Sequence, residues 1–285
     1  MEREEILQKI ESKYQDLGIP VDTMLEGLLY SKPMVYWDYI QTDALLGLQT
    51  QRTTLPDEMI FIMYHQVNEL LFKMILLEIK QIAKSDSLDV EVFTKHLMRI
   101  SRYFDMLSSS FDIMGDGMDK EQYMKFRNTL APASGFQSAQ YRMIEFASTE
   151  LINLIDVRFR STIDRDTPFE HAYEHLYWQA AGKNYNTGQK SILLDKFEKK
   201  YMGDFIDFMK DYNTTNISMK FKSLPDSVRN NVDLVNTMRH YDYTVNVKWV
   251  MSHYKAAAKY IGGGAATGGS DWTKYMLPKY QKRIF

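Results

Sequence analysis

Apolar residues recur at helical spacing along almost the whole chain, and no segment alternates polar and apolar positions as a half-buried strand would. Residues 2–16 read as a charged amphipathic helix that stops before Gly18 and Pro20. Residues 21–35 read as irregular, with Pro33 as a breaker, and the helical rhythm resumes over 36–48. Pro56 followed by Asp57 and Glu58 marks a helix start, because proline lacks an N–H that has no partner there and the acids meet the positive end of the dipole. From there the pattern runs unbroken to about residue 83, a helix of roughly 40 Å at 1.5 Å per residue. Further helices are predicted over about 89–113, over 119–127 (opened by Asp119 with Gln122 as a capping box), over 136–156 after the break at Pro132, and over 168–180 and 187–212. A last one runs over 226–260, from Pro225 to the glycine run IGGGAATGGS. There is no repeat, low-complexity tract or linker. The expectation is an all-α, single-domain bundle of long helices spanning 1–285, with residues 1–35 an arm that packs back or reaches a partner subunit.

Composition narrows the chemistry. With 285 residues the chain can bury a large core, and a formal net charge of −2 gives no electrostatic case for nucleic acid or an anionic membrane. The absence of cysteine excludes disulfides, cysteine–zinc sites, iron–sulfur clusters, thiol nucleophiles and covalently attached c-type haem. The N-terminus has no signal-peptide apolar region and no run of 18 apolar residues occurs, so the sequence reads as a cytoplasmic protein.

Three motifs offer chemistry and fail on context. HAYEH (171–175) places His171 and His175 on one helical face with Glu174 as a possible base, but no third zinc ligand stands out downstream. GKNYNTGQKS (182–191) has the wrong spacing for a phosphate loop and no preceding strand. IGGGAATGGS (261–270) follows a helix, so it is no dinucleotide fingerprint; it reads as a helix cap with a mobile or ligand-covering loop.

Polar residues inside apolar helices carry more. In FIMYHQVNELLFK (61–73), Phe61 and Glu69 lie one turn either side of His65, with Gln66 and Asn68 nearby. His253 follows Trp249 by one turn near the end of the last helix. Tyr123 and Arg127 share a face, and Ser134 and Gly135 follow a proline-broken turn. Singly, each has a plain structural explanation: a hydrogen-bonded core histidine, an arginine paired with a carboxylate, or helix-bridging polar groups. Together, two isolated histidines on different helices suit a haem slot, and an arginine suits a carboxylate substrate.

HQVNELLFK, FRNTLAPASGFQSAQYRMIEF and the W-x-x-x-H…IG…TGGS segment closely resemble the tryptophan 2,3-dioxygenase family, in order and spacing, from about Tyr36 to the C-terminus. The resemblance implies cleavage of the indole C2–C3 bond of L-tryptophan by O2 to give N-formyl-L-kynurenine, in a homotetramer with one non-covalent haem b per subunit. It implies His253 as the proximal iron ligand. It implies His65 on the distal side, bonded to the indole N–H, with Phe61 packed on the indole. It gives Arg127 the substrate carboxylate, with help from Tyr123, and Thr267 the amino-acid end. Ser134 and Gly135 would line the distal pocket, and Tyr36, Tyr39 and Ile40 would reach a neighbouring subunit's pocket.

The sequence departs from the family pattern at Leu71, where tryptophan is usual, at Val250 and Ser252, where arginines are common, and in a glycine loop without its basic stretch. These bear on haem affinity, redox potential and loop dynamics rather than on an assigned residue. Two rival readings keep the same histidine-ligated haem: a sibling enzyme acting on tyrosine or indole, and a sensor without turnover. Arg127 and Thr267 favour a free amino acid, and His65 favours an indole N–H over a phenol.

Overall fold

The computed structural model describes residues 1–85, 89–127, 136–184 and 187–261. Among them the regular structure is helical, with only two isolated bridges, Ile155 with Leu176 and Lys183 with Lys190. The all-α expectation is met. The chain divides into two compact units, Met1–Thr50 and Gln51–Phe285.

The first unit holds α1 (Arg3–Gln15), α2 (Val21–Tyr30), α3 (Tyr36–Ile40) and α4 (Thr42–Leu46). The stretch 21–35, expected to be irregular, is helical over its first ten residues. Pro20 stands at its N-cap position, where a proline costs no helical hydrogen bond, and α2 stops at Ser31 before Pro33. The helix expected over 36–48 is broken at Gln41, whose φ of 58° puts it in the left-handed region. No residue of these four helices is fully buried within the protomer, and the unit presents Leu28, Leu29, Tyr30, Met34, Tyr36 and Tyr39 to solvent.

The second unit is built on α5 (Pro56–Lys84) and α6 (Val90–Gly115), which pack along each other. Then come α7 (Lys120–Arg127), α8 (Ala139–Ser148), α9 (Phe169–Tyr173), α10 (Ile192–Tyr212), α11 (Ile217–Ser223), α12 (Asp226–Arg229), α13 (Val232–Tyr243) and α14 (Trp249–Ile261). Short 3-10 turns at Leu151–Leu154, Val157–Phe159 and Tyr177–Gly182 link α8 to α10. The helix expected over 136–156 therefore ends early, at Ser148. The one expected over 226–260 is three helices. Asn231 caps a fresh start through its Oδ1, and a π turn at Thr244–Lys248 joins α13 to α14.

The main core gathers Leu71, Phe72, Ile75, Ile79 and Ile82 of α5 against α6, α8 and α13. Leu71, which departs from the family pattern, is a buried packing residue. A second core lies among α8, α9 and α10. A third, smaller one joins α5, α6, α7 and α14 around Tyr64, Phe111, Phe126 and Tyr260.

By length and composition α5 could cross a membrane. It carries two apolar stripes, one in the core and a second (Met63, Val67, Leu70, Met74, Leu77) exposed. The second stripe advances by alternating steps of four and three, the spacing of a helix–helix seam.

Candidate functional site

The N-termini of α5 and α7 are stapled together. Asp57 accepts from the Asp119 N–H at 2.6 Å, and Gln122 accepts from the Asp57 N–H at 3.2 Å. Asp119 caps α7 by accepting from the Gln122 N–H at 2.8 Å, so the predicted cap is present while the Gln122 side chain is used between helices. Ahead of α5, the Glu58 carboxylate accepts from the Arg52 and Thr53 N–H groups and the Thr53 hydroxyl at 2.7–3.0 Å. These contacts fix the first turns of α5, and with them Phe61 and His65.

His65 Nδ1 lies 2.7 Å from the Phe61 carbonyl oxygen. A carbonyl can only accept, so Nδ1 carries the proton, and in the neutral imidazole Nε2 is left as an acceptor. His65 is exposed, yet burial by surrounding protein is the largest influence on its imidazole and lowers its pKa, against the raising effects of the Phe61 carbonyl and Glu69. Both hold together for a side chain lining an open recess. The Phe61 ring sits 4.1 Å from His65, and Tyr64 meets it edge-on at 5.2 Å. One turn on, Gln140 donates to both the backbone and the carboxylate oxygen of Glu69 at 2.8 Å, bridging α5 to α8.

Tyr123 and Arg127 approach from α7. Their side chains hydrogen-bond, which lowers the Tyr123 phenol against the larger raising effect of burial. Tyr123 stands 6.2 Å from Phe61 and 4.6 Å from Tyr260, whose hydroxyl donates to the Met114 and Met118 carbonyls. On α14, Trp249 stacks on His253 within 8° at 6.0 Å, and Phe111 flanks the imidazole at 5.4 Å. Burial, with the nearby positive form of His65 second, pulls the His253 pKa down to about 4. At neutral pH His253 is thus a neutral imidazole, the form that binds a metal.

The structure brings together Phe61, His65, Tyr123, Arg127 and His253, predicted on three different helices. Tyr36, Tyr39 and Ile40 belong to the first unit and are exposed. Ser134, Gly135 and Thr267 lie outside the described residues. Phe111 and Tyr260 were not anticipated, because aromatics in apolar helices carry no signal that separates a pocket wall from core. His171 and His175 do face each other at 4.9 Å, but no group of three metal-ligating side chains occurs among the described residues.

The profile of the family described as Tryptophan 2,3-dioxygenase matches residues 27–178, more than half of the chain. The chain belongs to the tryptophan 2,3-dioxygenase family. Similar proteins bearing that name span most of its length. The protein from Bacillus anthracis is 27% identical over 278 residues, covering 90% of this chain and 91% of its own. That from Ruegeria sp. (strain TM1040) is 26% identical over 273 residues with the same coverage. That from Ruegeria pomeroyi is 41% identical over a shorter stretch of 130 residues. The profile match takes in Phe61, His65, Tyr123 and Arg127 and stops short of α14.

Membership in this family implies a haem, and the residues present fit one. A tetrapyrrole would bring four nitrogens of its own and ask the protein for one further donor, which a neutral imidazole such as that of His253 would supply. The walls around His65 and His253 are aromatic: Phe61, Tyr64, Phe111 and Trp249. Trp249 Nε1 is buried without an acceptor among the described residues, so the site holds a donor for a polar group that those residues do not provide.

Proposed function

We propose that the protein is a haem-dependent dioxygenase that opens the indole C2–C3 bond of L-tryptophan with O2, giving N-formyl-L-kynurenine as the first step of tryptophan catabolism. The carrying observation is the side-chain cluster itself. Two neutral imidazoles on separate helices share it, with an aromatic ring beside one and the Tyr123–Arg127 pair on the next helix.

His253 would hold a non-covalent haem b, one per subunit. Bound there, ferrous haem supplies the redox chemistry that lets O2 react with a closed-shell indole. His65 accepts the indole N–H at Nε2, the atom left free by the Nδ1 bond to Phe61. Phe61 packs on the indole face. Arg127 clamps the carboxylate with its planar fork, and the Tyr123 hydroxyl both orients that fork and offers a further donor. Thr267 would contact the amino-acid end, and Ser134 and Gly135 the distal side of the cofactor. Holding the substrate at both ends turns an encounter into an oriented complex. The aromatic wall excludes water from the indole.

The whole chain would act as one haem domain in the cytoplasm, assembled as a homotetramer in which residues 1–35 make subunit contacts. Tyr36, Tyr39 and Ile40 would reach a neighbour's pocket, in keeping with their exposure, and the second stripe of α5 would lie in a subunit interface rather than in lipid. The test is turnover. The purified haem-loaded protein, reduced in air with L-tryptophan, is expected to form N-formylkynurenine. Conversion of tyrosine or free indole instead, or haem binding without turnover, would replace this reading with one of its rivals.

A further inference from the structure

The passage from α13 to α14 contains the single π segment among the described residues. The Trp249 N–H reaches back five residues to the Thr244 carbonyl rather than four. A π turn accommodates one extra residue in a helix, and such turns are rare and recur at functional sites. The extra residue has a geometric effect here. Leu234, Met238 and Tyr241 of α13 and Val245 of the π turn form one buried stripe, and α13, the π turn and α14 all pack against α6. At about 100° per residue, an unbroken α-helix would carry His253 roughly 100° and Tyr260 roughly 80° around from the bearing of Leu234. With one residue absorbed in the π turn, both return to within about 20° of that bearing. The stripe then continues along α6 as Trp249, His253, Ala256 and Tyr260, where Phe111 meets His253.

The turn is held by polar bonds, one buried pair among them. Asn246 Nδ2 donates to Asp242 Oδ1 at 2.7 Å, and both residues are at least 95% buried. The Thr244 hydroxyl donates to the His240 carbonyl at 2.8 Å, and Lys248 pairs with Asp105 of α6 at 2.6 Å. A buried amide is costly unless it is paired, and this paired one spans the point where the helical register changes.

We propose that the π turn is the register device that turns Trp249 and His253 into the recess, and that Asn246, through Asp242, is the positioning residue that keeps the extra residue there. The inference rests on His253 being the haem ligand. Asn246→Leu is expected to let the turn relax and to rotate α14. It should lower haem occupancy at equal added haem at least threefold and change the axial-imidazole signature of the ferric protein in electron paramagnetic resonance. Deleting Val247 in the Asn246→Leu chain removes the surplus residue, so a plain α-helix then carries His253 on its original bearing. Occupancy and signature should both recover, which loss of a merely structural bond would not allow. Wild-type occupancy and signature in folded Asn246→Leu would overturn the proposal, as would a folded double variant no better than the single one. If the double variant does not fold, Asn246→Leu alone decides. An imidazole signature that survives His253→Ala overturns instead the ligand reading beneath it.

Discussion

Acid should destabilise the haem-free protein through His253, by an amount the structure sets. In the folded chain its pKa is about 4, because burial and the neighbouring His65 oppose a second positive charge. Unfolded, it returns to about 6.5. Below 6.5 the unfolded chain therefore binds a proton that the folded chain refuses, and stability falls with pH until about 4, where both states are protonated. Two and a half pH units at 1.36 kcal/mol each give about 3 kcal/mol, and partial access of water to the recess trims this to about 2–3 kcal/mol. The assay is urea unfolding at pH 7, 5.5 and 4 on haem-free wild type and on His253→Gln. Carboxylates such as Glu58, held below the usual range by its bonds to Thr53 and Arg52 despite its burial, also lose stability in acid, but equally in both proteins. The difference between the two curves isolates His253. Parallel curves would refute the claim that His253 is held neutral by its surroundings.

Other outcomes follow from the same geometry. His65→Ala should lower kcat/KM for L-tryptophan by about 10–100-fold, the worth of a lost hydrogen bond to a buried N–H, and the penalty should shrink for 1-methyl-L-tryptophan, which has no N–H to give. Because the His65 pKa is lowered, the acid limb of the wild-type kcat/KM profile should fall below pH 6.5. Arg127→Leu should raise KM and lower kcat together, by about 100-fold or more in kcat/KM, with Tyr123→Phe a milder version, as steady-state kinetics will show. Arg142 is buried against Glu145 at 2.9 Å, so Arg142→Met should cost about 3–5 kcal/mol in chemical denaturation by stranding a carboxylate. Leu70→Glu together with Met74→Glu should dissociate the proposed homotetramer by light scattering, since both lie in the exposed stripe of α5.

The long helices were legible where one signal acted alone. Pro56 with its following acids started α5 where the structure starts it, and the unbroken apolar rhythm carried it to Lys84. The same rhythm concealed that α5 has two apolar faces, since periodicity registers apolar positions without saying what covers them. Val21–Tyr30 was missed because Pro33 read as a breaker of the whole stretch, although it lies beyond the helix. The π turn was not legible, because no single residue type marks where a helix takes up one surplus residue. At the site, His65, Arg127 and His253 stood out as polar residues in apolar helices. Phe111 and Tyr260 did not, because an aromatic that walls a pocket has the same sequence signature as one that fills a core.

The most direct test of the central claim is isotopic. Haem-loaded protein in its ferrous form, given L-tryptophan under 18O2, should release N-formylkynurenine carrying two 18O atoms by mass spectrometry, once exchange with water is corrected. A product carrying one labelled atom or none, or no opening of the indole ring, would contradict the account.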